Sequence, residues 1–273
     1  MNPALHITFL HANGYPSGVY RQFFAALREH ASVHAPAILE TAPDSAAHRR
    51  WPMMLDQALD ALQTLPATLR TMPRHVLVGH SMGGYIALQA AVRHMDTIRD
   101  VVLLDSPIPT GWRSKVLTFA QLTGLAYQSG PAPIAARRRD GWPSRQAARD
   151  FFAGKGFVSA WADGVLDDFI EHAIVDSADG VTLRIPRDTE RDIYAHIVHR
   201  SALTALRQLQ HGGVNVSFIA GERSEETRLA GFADNERLFA PRFTRLATGH
   251  LIPMEAPQIC ADAVLSALRG DQS

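Results

Sequence analysis

Hydrophobic positions in the first hundred residues form short continuous runs separated by stretches with helical spacing. The runs at 5–10, 75–78 and 100–107 have the apolar character of strands in a parallel sheet covered on both faces. The stretch 19–31 repeats its apolar residues at helical spacing, and so does the one that carries Leu55, Leu59, Leu62 and Leu65. This alternation predicts a mostly parallel, right-handed α/β fold with a sheet flanked by helices.

The alternation stops between about Ile108 and Arg200, where helical patterns dominate. Asp179-Gly180 predicts a turn before a small β segment at 181–183. Strands and helices alternate again from Ser201 onward. The pattern therefore predicts a core made of residues 1–107 and 201–273, with residues 108–200 inserted as a helical cap. Helices are expected at 113–127, 144–153, 158–175, 188–199, 201–211, 226–239 and 258–268, and strands at 32–36, 214–220 and 243–247.

A glycine-rich turn, Gly79-His80-Ser81-Met82-Gly83-Gly84, lies between an apolar strand and a helical stretch. This is the context in which G-x-S-x-G forms a nucleophile elbow, with the serine on a sharp strand-to-helix turn. Side chains at the flanking positions would clash where the strand and the helix approach each other, which explains the glycines. The motif makes Ser81 the candidate nucleophile.

The composition excludes several other classes of protein. The 273 residues are 46% hydrophobic and carry 27 basic and 27 acidic side chains, so no charge excess points to nucleic acid. The single Cys260 excludes an internal disulfide framework and a cysteine-based zinc site. The histidines show no metal-ligand spacing, and we expect no metal. The first residues lack the pattern of a signal peptide and no stretch is long enough to span a bilayer, so we expect a cytoplasmic protein without membrane contact.

Three stretches follow each other in an order that resembles the α/β-hydrolase superfamily, and in particular its small capped esterase-like members. They are the loop His11-Ala12-Asn13-Gly14-Tyr15-Pro16, the serine motif, and Gly249-His250-Leu251-Ile252-Pro253-Met254-Glu255-Ala256-Pro257. The resemblance covers essentially the whole chain and implies that Ser81 is the nucleophile and His250 the general base and acid. A serine hydroxyl needs such an imidazole because it is a poor nucleophile at neutral pH. His80 and His11 are expected to have structural roles.

The acidic partner of His250 departs from the commonest pattern of the superfamily. Ser224 occupies the position that usually carries the aspartate, and Glu225 follows it. Some relatives place the acid at the end of the strand after the elbow, which here is Asp105. A carboxylate that closes a buried strand needs a partner, because burying an unpaired charge is costly. We therefore expect Asp105 to be the acid and keep Glu225 as the alternative.

The resemblance also implies an oxyanion hole built from backbone N–H groups. One donor is expected at Met82, directly after the nucleophile. The second is expected from the loop after the first strand, where alignment of Gly14-Tyr15 favours the N–H of Tyr15. The loop has two extra residues between His11 and Gly14, so Ala12 or Asn13 is possible, as is the side-chain amide of Asn13.

These observations predict a cofactor-independent serine hydrolase, monomeric or homodimeric, that cleaves a small carboxylic ester or thioester. A C–C bond hydrolase or lyase with the same three residues, and a binding protein of the same fold without activity, are the alternatives. Arg137-Arg138-Arg139 is expected to be a solvated helix face, although an arginine directed into the cleft would favour an acidic substrate. Aromatic residues of the insertion are expected mainly in its core, with some along the cleft: Trp112, Phe119, Tyr127, Trp142, Phe151, Phe152, Phe157, Trp161 and Tyr194.

Overall fold

A computed structural model describes residues 5–42, 44–65 and 74–270. Six of the described strands form one sheet in which every pairing is parallel, in the order β2-β1-β3-β4-β8-β9. The predicted parallel α/β fold is therefore confirmed. The strands of this sheet are β1 (Leu5–Leu10), β2 (Ser32–His34), β3 (Arg74–His80), β4 (Ile98–Leu104), β8 (Asn215–Gly221) and β9 (Phe243–Leu246).

Helices cover both faces of this sheet. The side chains of Val76 and Val78 pack into one hydrophobic cluster with α1 and α13, and Leu77 packs on the opposite face with α2, α3 and α9. Because successive strand residues point to opposite faces, a strand covered on both sides must be apolar throughout. The helices are α1 (Arg21–Arg28), α2 (Arg50–Gln63), α3 (Met82–Val92), α9 (His199–His211), α10 (Glu225–Ala230), α11 (Phe232–Phe239), α12 (Ile252–Glu255) and α13 (Pro257–Arg269).

Between β4 and α9 the chain forms short helices and a small antiparallel sheet in the order β5-β7-β6. The predicted turn at Asp179-Gly180 connects two of its strands, and Ser144 caps its helix by accepting a hydrogen bond from the N–H of Ala147, at 3.2 Å. The elements are α4 (Gly111–Leu122), α5 (Pro131–Arg137), β5 (Gly141–Trp142), α6 (Arg145–Ala153), α7 (Val165–Ala173), β6 (Ile174–Ser177), β7 (Gly180–Leu183) and α8 (Arg187–Ala195).

The structure corrects several predicted boundaries. The run 158–175 is wrong as a single helix: it is a 3₁₀ turn at Val158–Ala160, then α7, and then the start of β6. The helix expected at 226–239 is interrupted at Gly231, whose φ of +101° lies outside helical values, so that α10 and α11 are separate. The predicted strand at 32–36 ends at His34, and the helix expected at 19–31 is shorter, because α1 ends at Arg28.

Candidate active site

Ser81 lies at the tip of the turn between β3 and α3, with a φ of +51°. Such a conformation costs a non-glycine residue about 1–3 kcal/mol and persists only where the surroundings enforce it. Those surroundings are tight. A Cβ atom on Gly83 would lie 2.0 Å from the carbonyl oxygen of Leu10, and one on Gly79 would lie 2.4 Å from the carbonyl oxygen of Gly83. The two glycines thus allow α3 to start directly against β1 and β3.

Hydrogen bonds connect Ser81, His250 and Asp105 in a row. The Nε2 atom of His250 lies 3.0 Å from the Ser81 hydroxyl oxygen, and its Nδ1 atom lies 2.6 Å from a carboxylate oxygen of Asp105. Since a carboxylate only accepts, Nδ1 carries the proton and Nε2 is free to accept one from Ser81. The structure therefore brings together the three residues that the sequence suggested as nucleophile, base and acid.

Asp105 is fully buried at the end of β4, with a φ of +41°. Its carboxylate accepts hydrogen bonds from the Gly221 N–H at 2.9 Å, the Thr227 hydroxyl at 3.0 Å and the Ser224 hydroxyl at 2.5 Å, besides the bond from His250. These donors offset the cost of burying the charge. Ser224, in the position where relatives usually have the acid, here donates to the acid and also caps α10.

Glu225, the alternative acid, has an exposed side chain that forms an ion pair with Arg228. No hydrogen bond between Glu225 and His250 is found among the described residues.

The next residue, Glu226, was not singled out by the sequence, yet its carboxylate lies 3.8 Å from Nδ1 of His250. Only its place at the start of the helix after β8 could have suggested it. The described residues also contain one group with the spacing of metal ligands, formed by Asp105, Glu226 and His250. In this group the Nδ1 atom of His250 is already hydrogen-bonded to Asp105 and is not free to bind a metal ion.

The pKa of His250 lies above the usual 6.5. Burial acts to lower it, but the hydrogen bond to Asp105 and the negative charges of Glu226, Asp105 and Glu255 more than offset burial. Its neighbour His80 behaves in the opposite way, since burial lowers the pKa of His80 to about 3. At working pH the two imidazoles therefore differ, because His80 is neutral while His250 can take up a proton.

His80 and His11 have structural positions, as expected. His80 lies 3.0 Å from the carbonyl oxygen of His250 through Nε2 and 2.8 Å from the hydroxyl of Tyr20 through Nδ1. Since a carbonyl only accepts, Nε2 of His80 is the donor, and it holds the backbone of the loop that carries His250. His11 is fully buried and accepts a hydrogen bond from the N–H of Leu39 at 2.6 Å.

In the loop after β1, the N–H of Tyr15, which the sequence favours as an oxyanion donor, is engaged in a turn. The N–H of Tyr15 donates to the carbonyl oxygen of Ala12 at 3.2 Å, which closes a turn around Gly14, whose φ is +81°. The N–H of Ala12 donates to the hydroxyl of Tyr20 at 2.9 Å, and the side-chain amide of Asn13 donates to the carbonyl oxygen of Glu190 at 3.0 Å. Among the described residues, no partner is found for the N–H of Asn13, Gly14 or Met82.

A pocket of about 1060 Å³ opens above Ser81. One side is formed by the loop after β1, the His250 loop and the start of α10. The other side comes from the segment between β4 and α9, including Arg138 and Tyr194. Of the aromatic residues expected mainly in the core of the insertion and partly along the cleft, Phe151, Phe152, Phe157 and Tyr194 line this pocket, Trp142 and Trp161 are buried, and Trp112 and Phe119 are exposed.

Comparison with known proteins agrees with this geometry. The family described as "Alpha/beta hydrolase family" matches residues 9–263. The chain belongs to the α/β-hydrolase family. It is 32% identical to the lipase LipV of Mycobacterium tuberculosis (strain ATCC 25618 / H37Rv) in an alignment 144 residues long that covers 48% of this chain and 55% of that protein. It is 26% identical to the abhydrolase domain-containing protein AFT2-1 of Alternaria alternata in an alignment 231 residues long that covers 71% of this chain and 83% of the relative.

Solved structures of other family members have the same fold. The thioesterase domain from the curacin biosynthetic pathway superposes with a TM-score of 0.71 at 18% identity, over 96% of this chain and 90% of that one. E-2-(acetamidomethylene)succinate hydrolase superposes with a TM-score of 0.72 at 19% identity, over 98% and 92%. Within the described residues, no helix has the length and apolar character required to cross a membrane.

Proposed function

We propose that the protein is a serine hydrolase that cleaves a small carboxylic ester or thioester through an acyl intermediate on Ser81. The observation that carries this proposal is the hydrogen-bonded row of Ser81, His250 and Asp105, with separations of 3.0 Å and 2.6 Å. A hydroxyl, an imidazole and a carboxylate in this order are the arrangement that activates serine for attack on a carbonyl carbon.

In the first step, the hydroxyl of Ser81 attacks the carbonyl carbon while Nε2 of His250 takes its proton. Asp105 holds the imidazole in the tautomer with the proton on Nδ1 and stabilises the imidazolium that forms. His250 then donates the proton to the leaving alcohol or thiol. A water molecule, deprotonated by the same imidazole, releases the acid and restores Ser81.

The negative charge that develops on the carbonyl oxygen requires backbone donors that are not engaged elsewhere. We assign one donor to the N–H of Met82, in the first turn of α3, where helical N–H groups have no partner within the helix. We assign the second to the loop after β1, where the N–H groups of Asn13 and Gly14 have no partner among the described residues while those of Ala12 and Tyr15 are engaged within the loop. The turn at Gly14 thus leaves these two N–H groups as the donors of the loop.

Residues 108–200 act as a helical cap in this proposal, because α5, α6, α8 and their loops form the wall of the pocket that faces Ser81. The relatives include a protein named as a lipase and a thioesterase domain, which agrees with ester or thioester cleavage. An amide is a poorer substrate because its leaving group is poorer.

The test is turnover of p-nitrophenyl esters of increasing acyl length by the wild-type chain and by Ser81→Ala. We expect kcat/KM for the best ester to fall by roughly 10⁴-fold or more when Ser81 is replaced. Ser201→Ala, which removes an exposed hydroxyl on α9, serves as the matched control and retains wild-type turnover. Full activity of Ser81→Ala would exclude the mechanism.

A further inference from the structure

The pocket wall opposite Ser81 contains an ion pair between Arg138 and Glu190. The Nη1 atom of Arg138 lies 2.8 Å and 2.7 Å from the two carboxylate oxygens of Glu190. The two side chains are unequally covered, because Glu190 is 5% exposed and Arg138 is 21% exposed. Both line the pocket that contains Ser81, but the guanidinium is the more accessible of the two groups.

The ion pair with Glu190 engages only one of the three guanidinium nitrogens of Arg138. Both bonds to Glu190 come from Nη1, so the Nε–H and the two Nη2–H groups of Arg138 have no hydrogen-bond partner among the described residues. Arginine presents its N–H groups in a rigid planar fork that matches two acceptor oxygens. The unused edge of this fork is therefore available to a ligand with paired oxygens.

Two phenol groups lie near the same guanidinium. Tyr15 and Tyr194 line the pocket, and the charge of Arg138 acts on both hydroxyls. Burial raises the pKa of each phenol above its usual range, so both remain protonated and can donate a hydrogen bond. Within the described part of the chain, neither hydroxyl has a hydrogen-bond partner. The wall thus contains three neighbouring side chains with unused donors.

The charges near Arg138 also favour an anion on this side of the pocket, whereas Glu225, Glu226 and Glu255 line the side next to His250. Arg137, Arg139 and Lys155 line the pocket on the same side, and none of them forms an ion pair with a described carboxylate. Arg139 and Lys155 instead lie over the ring of Phe151. The positive charge of Arg138 is balanced by Glu190, whereas these neighbours leave the cap wall positive.

We propose that Arg138, Tyr15 and Tyr194 form a carboxylate subsite, so that the substrate is an ester or thioester whose acyl part ends in a free carboxylate. This inference rests on the proposed function, because it assigns the substrate of the same pocket. A carboxylate fits better than a phosphate dianion, since its single charge and paired oxygens match one arginine fork whose partner Glu190 would repel a second negative charge.

Ligand binding to Ser81→Ala tests the subsite without turnover. The probes are the monoethyl esters of succinate, glutarate and adipate, each compared by calorimetry with the neutral ethyl ester of matching length: butyrate, valerate or hexanoate. We expect the best carboxylate probe to bind at least about tenfold more tightly than its neutral counterpart, as one charge-assisted hydrogen-bonded contact provides. Inorganic phosphate should not displace it. Equal binding of the paired probes, or displacement by phosphate, would overturn the proposal.

Variants of the wall identify the groups responsible. Arg138→Met combined with Glu190→Gln removes both charges together, which avoids leaving a buried carboxylate unpaired. We expect the preference of kcat/KM for the carboxylate ester over the neutral ester to collapse to near parity. Tyr194→Phe removes only a hydroxyl and should weaken this preference by roughly three- to tenfold, even if the double variant does not fold. Arg149→Gln, which changes an exposed arginine paired with Asp167 outside the pocket, is the matched control.

The two proposals fail in different ways. If the wild-type chain hydrolyses neutral and carboxylate esters equally well, the subsite is wrong and the hydrolase assignment stands. If the carboxylate probes bind Ser81→Ala preferentially but the wild-type chain cleaves no ester, the hydrolase assignment is wrong and the carboxylate site stands. A preference that persists in both wall variants would place the recognition elsewhere in the pocket.

Discussion

The two walls of the pocket are held in place by different means. On the sheet side, Ser81 and Asp105 are the non-glycine residues with positive φ among those described, and Asp105 accepts hydrogen bonds from three neighbours besides His250. On the side formed by the segment between β4 and α9, the side chain of Arg138 is held by one ion pair, and the apolar side chain of Ile134 remains in contact with solvent.

We infer from this difference that the sheet side carries out the reaction and that the opposite wall determines which substrates bind. Ser81 and Asp105 directly follow the buried strands β3 and β4, where both have strained backbone, and His250 is held by its hydrogen bonds to these two residues. The opposite wall is built from short helices and loops of the segment between β4 and α9, and side chains there have unused donors. A change on the sheet side should therefore abolish reaction with every substrate, and a change on the opposite wall should alter which substrates react.

The largest effect is expected from the acid. Asp105→Asn keeps the shape of the side chain but favours the wrong tautomer of His250, and kcat/KM should fall by roughly 10³–10⁴-fold. Glu225→Gln changes the exposed carboxylate paired with Arg228 and should retain wild-type turnover. Steady-state hydrolysis of a p-nitrophenyl ester measures both. The reverse result would make Glu225 the acid and refute our assignment.

Replacing two different glycines by alanine should lower the free energy of unfolding by clearly different amounts. Gly83→Ala places a Cβ 2.0 Å from the backbone oxygen of Leu10, and we expect the free energy of unfolding to fall by more than about 3 kcal/mol. Gly124→Ala, between α4 and the following 3₁₀ turn, meets open space and costs only the left-handed backbone conformation at φ +76°, about 1–2 kcal/mol. Urea unfolding monitored by circular dichroism distinguishes them, and equal losses would contradict the close approach of α3 and β1.

Two serine caps allow a finer comparison. Ser224→Ala and Ser144→Ala each remove a hydroxyl that accepts a hydrogen bond at the start of a helix, which should cost about 1 kcal/mol of stability, and Ser224→Ala should cost more because it also removes a donor to the buried Asp105 carboxylate. Ser224 also donates to Asp105, so its loss should lower kcat/KM roughly tenfold, the effect of one hydrogen bond to a charged group. Ser144→Ala should leave kcat/KM unchanged. Equal activity of the two variants would mean that Ser224 only caps α10.

The smallest effect concerns pH. Because His250 acts as a base, kcat/KM should decline as pH falls through its pKa, which lies above 6.5. The Glu226 carboxylate helps to raise that pKa, and removal of its charge disfavours the imidazolium. Glu226→Gln should therefore move the acid limb to lower pH, by roughly 0.7 unit for charges about 4 Å apart in a water-like surrounding. A pH–rate profile checks this, with Glu225→Gln as the control that leaves the limb in place.

Local sequence patterns predicted the sheet side well. The strand-to-helix turn at Ser81 requires glycine at fixed spacing, and the polar end of an otherwise apolar strand pointed to Asp105. These signals are local because they reflect backbone geometry and burial within one element. The position at which relatives usually have the acid carries Ser224 in this chain. It still belongs to the site, because the Ser224 hydroxyl donates a hydrogen bond to the carboxylate of Asp105.

The remaining features depend on contacts that local patterns do not encode. The sequence does not show that the N–H of Tyr15, the expected oxyanion donor, is engaged by the turn at Gly14. Arg138 was expected on a solvated face, yet it pairs with Glu190, which follows it by 52 positions in the sequence. The position of Glu226 beside His250 depends on where α10 begins. Each of these three residues either contacts a residue from a distant segment of the chain or has its role decided by a single hydrogen bond.

The central claim is that His250 and Asp105 activate Ser81 as a nucleophile, and covalent labelling by diisopropyl fluorophosphate tests it most directly. Intact-mass measurement and peptide mapping should find one adduct per chain, on Ser81. The rate of labelling should fall sharply in His250→Ala and Asp105→Asn but not in Glu225→Gln. An unlabelled chain, or an adduct on another residue with Ser81 unmodified, would contradict the account.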